Sequence, residues 1–360
     1  MSPRSRRRDA VADVPPHDVT SLLPALGVTR VARVTGLDRA GVEVACAVRP
    51  GGHVLQISNG KGESWEEARA SALSEAAELW AAERVPSELL FASARELGQR
   101  AWLDSAEVAA PRLFSSALRI AWIEARDLIS GAEVLVPAQA VHCPPPGSAS
   151  LGPAPFRWSS NGMGAHPRRP QALLHAVLEA AERDRLATAL PEGWSPAAIR
   201  TRKIAPGTFP SRVSAICERL GAQGLEAHCF DLSGALPVAA AILIDLEEGP
   251  VPATAGYACA MRADDALLAA LLEAAQSRLT DVHGAREDVT RPDATAARLL
   301  RRACARARGK RDAARMPTAR GGVEGALRAL GWRRAAAVEL AGPLPVFKVL
   351  VPGLRVSELL

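Results

Sequence analysis

Three stretches decide how this chain is read: Ala70-Ser-Ala-Leu-Ser-Glu-Ala-Ala-Glu78, Leu174-His-Ala-Val-Leu-Glu-Ala-Ala-Glu182 and Leu268-Ala-Ala-Leu-Leu-Glu-Ala-Ala-Gln276. Each closes on Glu-Ala-Ala followed by Glu or Gln, giving the pairs Glu75/Glu78, Glu179/Glu182 and Glu273/Gln276. Residues three apart share one face of a helix. Ala and Leu flank every pair, so these helices are expected to be largely buried. One acidic pair alone is an ordinary solvated helix face. Five carboxylates and a glutamine on three apolar helices are a different case. A buried carboxylate is costly unless it is paired or holds a cation. Oxygen ligands favour Mg²⁺, which usually arrives with substrate phosphates. Arg183, directly after Glu182, and Arg278, two beyond Gln276, are candidates for holding a phosphate oxygen.

Ser58-Asn-Gly-Lys-Gly62 precedes the first of these helices and Ser159-Ser-Asn-Gly-Met-Gly164 the second. Both read as turns whose N–H groups can approach an anion, with Lys61 adding a charge. Neither is a GxxxxGK[ST] loop, and no GxGxxG follows a strand. Elsewhere hairpins alternate with long helices. Residues 42–48 and 53–58 read as strands around Pro50-Gly51-Gly52. A helix over 65–84 has Ser64 as its cap and Glu67 at the capping-box position. Residues 118–126 and 133–142 form a hairpin across Ser130-Gly131, and a helix spans 170–189. Strands are expected over 225–231 and 236–244, then a helix capped by Asp264 to about 282. Residues 286–322 are charged and irregular with some helix expected, and strands over 335–339 and 346–351 close the chain. The class is α+β, with mixed sheets and long helices bearing the Glu pairs. No Pro/Ser/Gly linker divides it. The expectation is a disordered basic tail over 1–20 and one domain over 21–360, with a basic, mobile segment at 301–322.

Composition excludes several classes. Of 360 residues, 48% are hydrophobic and 23% charged, too apolar for wholesale disorder. No run of about 18 apolar residues could span a bilayer as a helix. The net charge of +5 is concentrated in Arg4, Arg6, Arg7 and Arg8 and in a run from Arg301 through Arg302, Arg306, Arg308, Lys310, Arg311 and Arg315 to Arg320. No aromatic residue interleaves with either run, so a solvated tail and loop are favoured over a nucleic-acid surface. The six cysteines form no CxxC pair, which argues against a zinc ribbon or a disulfide framework. The N-terminal arginines precede no apolar signal region. A reducing cytoplasm is expected.

Taken together and in order, the motifs resemble the YcaO-domain family over roughly residues 40–355. They are Gly60-Lys-Gly62 with the first Glu helix, Ser160-Asn-Gly-Met-Gly164 with His175-Ala-Val-Leu-Glu-Ala-Ala-Glu-Arg-Asp184, and Glu273-Ala-Ala-Gln-Ser-Arg278 with Gly284-Ala-Arg-Glu-Asp288. Leu128-Ile-Ser-Gly131 and Val349-Leu-Val-Pro-Gly353 also fit. The resemblance implies an ATP- and Mg²⁺-dependent enzyme acting on peptide backbone amides. A nucleophile adds to the carbonyl, ATP phosphorylates the resulting oxygen, and phosphate leaves. A Cys, Ser or Thr side chain as nucleophile gives an azoline; an external sulfide equivalent gives a thioamide. By motif match, Glu75, Glu179, Glu182 and Glu273 hold Mg²⁺ and serve catalysis, with Glu78 also a metal candidate. Lys61, Ser71, Asn161, Arg183 and Gln276 are matched to nucleotide contacts.

The chain departs from the family pattern in places. His175 stands where some members have Ser, and Arg355-Val-Ser-Glu-Leu-Leu360 lacks the PxPxP tail of azoline formers. No leader-binding domain precedes residue 40, so a separate TfuA-like or ThiF-like partner protein is expected alongside the peptide substrate. Val-Pro-Gly near the end resembles members that work with a TfuA-like partner, which places thioamide formation ahead of azoline formation. A non-catalytic scaffold, a factor for ribosomal-protein methylthiolation and a nucleic-acid binder are the remaining readings. A homodimer is the expected assembly, with no membrane and no specific nucleic acid.

Overall fold

The structure, a computed structural model, describes residues 21–102, 112–247, 249–284 and 294–355. The basic tail and the residues from Ala285 to Asp288 lie outside them, as do the last five residues. The described chain opens with α1 (Leu22–Leu26) and a three-stranded sheet of β1 (Arg30–Arg33), β2 (Glu43–Val48) and β3 (Ile57–Gly62). α2 (Trp65–Ala82) follows, and Ser64 caps it by accepting the Glu67 N–H. The Glu67 carboxylate accepts from the Glu63 N–H rather than closing a box on Ser64. Next come β4 (Leu90–Ser93), the short α3 (Ala94–Leu97), β5 (Arg119–Asp127) and β6 (Glu133–Pro137). The strand expected over 133–142 stops at Pro137, which has no N–H to extend a ladder, and passes into α4 (Ala138–Val141).

β7 (Met163–Ala165) leads into α5 (Arg169–Ala189), whose first turn contains Pro170. After α6 (Pro196–Arg202) and α7 (Ser211–Ala222), the strands β8 (Leu225–Asp231), β9 (Val238–Asp245) and β10 (Ala253–Cys259) form a second three-stranded sheet. α8 (Ala263–His283) packs on β10 and β9. Its N-cap is Arg262, not Asp264; Asp264 lies within the first turn, where it complements the helix dipole. α9 (Ala294–Arg306), α10 (Gly322–Leu330), β11 (Ala336–Leu340) and β12 (Val346–Leu350) complete the described chain. The closing strands lie inside a third sheet, in the order β4-β5-β11-β12-β7 with β6 on the free side of β5. Ladders between these strands are antiparallel, and isolated parallel bridges join Ala101 to Leu135 and Ile204 to Arg311.

One correction reshapes the site. Residues Ser58 to Gly62, expected as a turn, lie wholly in strand β3, and the strand expected over 53–58 begins only at Ile57. Their glycines are there for closeness to a helix. A Cβ on Gly60 would stand 2.1 Å from the Ala72 nitrogen and 2.2 Å from the Ala68 oxygen. The same contact recurs at β7, where a Cβ on Gly164 would stand 2.4 Å from the Ala176 nitrogen and 2.5 Å from the Ala172 oxygen. It recurs again at β10, where Gly256 faces the Ala274 nitrogen at 2.2 Å and the Ala270 oxygen at 2.4 Å. Each unit is thus a strand glycine laid on the alanine face of a long helix, backbone against backbone.

These units join head to tail. Glu78, on α2, accepts the N–H of Ala165 on β7 at 2.8 Å. Glu182, on α5, accepts the N–H of Cys259 on β10 at 3.0 Å. Glu273, on α8, pairs with Lys61 on β3 at 2.7 Å and closes the ring. The sequence echo is therefore a threefold arrangement in space, with the acidic pairs turned to its centre.

Away from that centre, β8 buries His228, 5% exposed, beside the buried Lys203. Burial first and Lys203 second push the imidazole down to about 4. Glu226 lies 3.6 Å from Nε2 but is itself 46% exposed, so it offsets little. In the unfolded chain the ring titrates near 6.5, so below that pH the unfolded state binds the extra proton and stability falls towards pH 4. We expect about 2 kcal/mol to be lost between pH 7 and pH 5 through this group. His228→Gln should flatten that limb in denaturant titrations at the two pH values; an unchanged pH dependence would refute the assignment.

Candidate active site

β3, β7 and β10 bring backbone donors to the acidic pairs, and α2, α5 and α8 supply the pairs themselves. Glu75 accepts the Asn59 N–H at 2.9 Å, and Glu273 accepts the Tyr257 N–H at 3.4 Å. Arg183 reaches Glu179 at 3.4 Å and Glu182 at 3.8 Å. The side chains of Glu179 and Glu273 are each 24% exposed, Lys61 25% and Arg183 21%. These side chains are mostly buried but keep about a fifth to a quarter of their surface accessible. Ser71 lies on α2 four residues before Glu75, on the same face. Asn161 sits in the turn before β7.

Arg278 is not part of this group. It is 4% exposed, and its guanidinium is spent on Asp38, Asp245 and the Val251 carbonyl. It ties α8 to the end of β9, so the expectation of a phosphate contact fails there. His175 is exposed and stands edge-on to His166, ring centres 5.4 Å apart.

Two further residues belong with the cluster. Lys348, on β12 and 1% exposed, donates to the backbone oxygens of Ser159 and Asn161. Its charge opposes, without cancelling, the rise that burial imposes on the Glu78 and Glu179 carboxyls. A lone lysine in Val346-Phe-Lys-Val-Leu350 was the available signal. Asn59 donates its amide to Thr280, whose hydroxyl in turn donates to the Gln276 carbonyl. This fixes the amide orientation and leaves Asn59 Oδ1 buried without a partner, like Gln276 Oε1.

Charge sets what this pocket wants. Five carboxylates face three cations, Lys61, Arg183 and Lys348. Burial and the charges of Glu179 and Glu75 hold the Glu78 carboxyl well above the usual carboxylate range. Glu182 is pushed up to about 7, by burial first and by Glu273 and Glu179 with it, against the pull of Arg183. Glu179 is raised chiefly by burial, while Lys61 holds Glu273 below its ordinary value despite burial. A site that raises several of its own carboxylates is short of positive charge. Among the described residues no three His, Cys, Asp or Glu side chains converge on a single ion. Mg²⁺ is usually held by one or two carboxylates plus phosphate oxygens and water. An oxygen-only donor set with raised carboxylates, beside Lys61 and Arg183, fits magnesium together with a polyphosphate.

Comparison with known proteins agrees. Residues 59–355 match the YcaO cyclodehydratases, described as ATP- and Mg²⁺-binding. The chain belongs to the YcaO family. A relative in Methanothermobacter thermautotrophicus, named an uncharacterized protein, is 35% identical over 283 residues, covering 75% of this chain and 70% of that one. A protein of Rhizobium leguminosarum bv. trifolii named for its position in the tfuA 3′ region is 32% identical over 290 residues, covering 77% and 66%. Among solved structures, YcaO from Methanopyrus kandleri, bound with AMPPCP and Mg²⁺, superposes with a TM-score of 0.72 over 97% of this chain and 94% of that one, at 20% identity. A heterocyclase in complex with substrate and cofactor gives 0.73 over 99% and 54%, also at 20% identity. The Escherichia coli microcin synthetase McbBCD complex gives 0.59 over 88% and 85%, at 13% identity. The YcaO fold is common to all of these. No helix among the described residues is long and apolar enough to cross a membrane.

Proposed function

We propose that this YcaO chain activates a peptide backbone amide by ATP-dependent O-phosphorylation, and that its product is a thioamide in a ribosomally made peptide. The observation that carries the first part is the acidic ring, short of positive charge and furnished with Lys61 and Arg183. Glu75, Glu78, Glu179, Glu182 and Glu273 are assigned to magnesium. Lys61, Ser71, Asn161, Arg183 and Gln276 are assigned to the nucleotide. Bound magnesium supplies neutralisation of the triphosphate and of the charge developing in phosphoryl transfer. Lys61 and Arg183 orient phosphate oxygens, and the alanine-lined helices exclude water from the reacting amide. A sulfide equivalent adds to the amide carbon, and the resulting oxyanion takes the γ-phosphoryl group while ADP departs. Phosphate then leaves as the C=S bond forms, so the protein needs no covalent nucleophile of its own.

The thioamide choice is supported by the relative from the tfuA 3′ region, which favours a TfuA-like partner over a ThiF-like one. The six free cysteines suit a cytoplasmic setting. We take 21–360 as one catalytic domain that works as a homodimer. Mass spectrometry of the product decides the outcome when protein, TfuA-like partner, sulfide, ATP and peptide are combined. A gain equal to sulfur replacing oxygen is expected. Loss of one water, abolished when Cys, Ser and Thr are removed from the peptide, would instead establish azoline formation.

A further inference from the structure

The basic run answers to a feature that the amide chemistry does not use. On α9, Arg298, Arg302 and Arg306 recur every fourth residue and are exposed, which makes a stripe along one helix face. Arg200, exposed on α6, stands across a cleft from them. The cleft encloses about 330 Å³, and Pro196, Leu299, Ala303 and Ala307 form its apolar surface between Arg200, Arg302 and Arg306. Leu299 is 61% exposed, the largest exposure but one among the exposed large hydrophobic residues. Among the described residues, none of Arg200, Arg298, Arg302 and Arg306 has an ion-pair partner. Just beyond, the N–H groups of Lys310 and Arg311 donate to the Lys203 carbonyl and Arg311 bridges to Ile204, so the segment expected to be mobile is tied to the fold.

We propose that this α6–α9 cleft docks an acidic segment of the peptide substrate, with an aliphatic side chain seated on Leu299. This rests on the reading that the chain acts on a peptide. Guanidinium groups one helical turn apart, about 6 Å, match carboxylates on alternate residues of an extended chain, about 7 Å apart. An aliphatic floor without an aromatic ring offers nucleic-acid bases nothing to stack on. The substrate is favoured as occupant because α5 connects the two places. It carries Glu179 and Glu182, and its last turns, at Leu186 and Ala189, pack in the same core as Ala297 and Cys304 of α9. A peptide anchored here sits by the C-terminal turns of the helix that carries Glu179 and Glu182.

Fluorescence anisotropy on the full chain tests this with a labelled peptide, Asp-Glu-Leu-Glu-Asp-Leu, its Leu-to-Ser counterpart and a short single-stranded DNA. The leucine peptide is expected to bind with an affinity that falls as salt is added. Arg302→Glu combined with Arg306→Glu should weaken it about tenfold or more, and Arg200→Glu, from the opposite helix, should weaken it too. Leu299→Ser should weaken the leucine peptide and leave the serine peptide unchanged. These side chains are exposed, so Mg²⁺·ATP binding should be retained in every variant. Equal binding of the peptide by parent and variants overturns the proposal, as does tighter binding of DNA through the same arginines. Failure of the parent to bind Mg²⁺·ATP would strike the amide-activation reading alone.

Discussion

Glu179→Ala is expected to abolish Mg²⁺-dependent ATP binding while leaving a protein at least as stable as the parent. Both halves follow from the same electrostatics. Glu179 makes one ion pair, with Arg183 at 3.4 Å, and burial together with Glu273 raises its pKa. A raised carboxylate pKa means that the fold tolerates the charge at a cost. Deleting the group relieves that cost at neutral pH, and Arg183 keeps Glu182 at 3.8 Å. Binding should move the other way. Losing even an outer partner of a metal site typically costs 10–100-fold, so with Glu179 as the proposed magnesium ligand its loss should weaken binding by about 100-fold or more. Calorimetric titration of ATP with and without Mg²⁺, beside a thermal melt, separates the two effects. Unchanged Mg²⁺-dependent binding in a folded variant would remove Glu179 from the metal set. A fall in melting temperature would refute the charge argument.

Gly164→Ala is expected to cost more than about 4 kcal/mol and to leave little folded protein. Its Cβ would lie 2.4 Å from the Ala176 nitrogen and 2.5 Å from the Ala172 oxygen, and both are backbone atoms of α5 that cannot rotate away. β7 must therefore lift off α5. Movement of β7 would also pull the Ala165 N–H from Glu78 and the Lys348–Met163 ladder contact from β12. Gly60→Ala should behave alike, because Ala72 and Ala68 stand closer still. Gly51→Ala is the control: nothing lies within 4 Å of the added atom, and its effect should stay within about 0.5 kcal/mol. Denaturant unfolding of the soluble fraction measures all three. A Gly164 variant within about 1 kcal/mol of the parent would show that these glycines are not close-contact residues.

Glycine was the residue type read least well from sequence. In Ser58-Asn-Gly-Lys-Gly62 the glycines suggested a flexible turn, because a glycine in a strand gains no side-chain packing. The structure gives the other reason for a strand glycine, a helix backbone pressed against it. That helix lies twelve residues further on for both Gly60–Ala72 and Gly164–Ala176, but eighteen for Gly256–Ala274, so no local window announces it. β10 escaped for a related reason: apart from Tyr257, Ala-Thr-Ala-Gly-Tyr-Ala-Cys is made of small residues and shows no alternation of apolar and polar positions. Arg278 illustrates the opposite error. Its spacing from Gln276 suggested the site, but two residues along a helix turn a side chain by about 200°, away from the acidic ring and onto Asp38 and Asp245.

The family, the α+β class and the acidic pairs are legible in the residues alone, because helical spacing is local and a threefold echo is visible without coordinates. How the pairs meet is a matter of long-range packing. The head-to-tail ring places Glu78 on β7, Glu182 on β10 and Glu273 on Lys61, contacts that span 87, 77 and 212 residues. It also brought Lys348, 187 residues from Asn161, beneath the cluster. Charge balance in a buried site is a sum over everything within a few ångströms, and sequence separation carries no information about that distance.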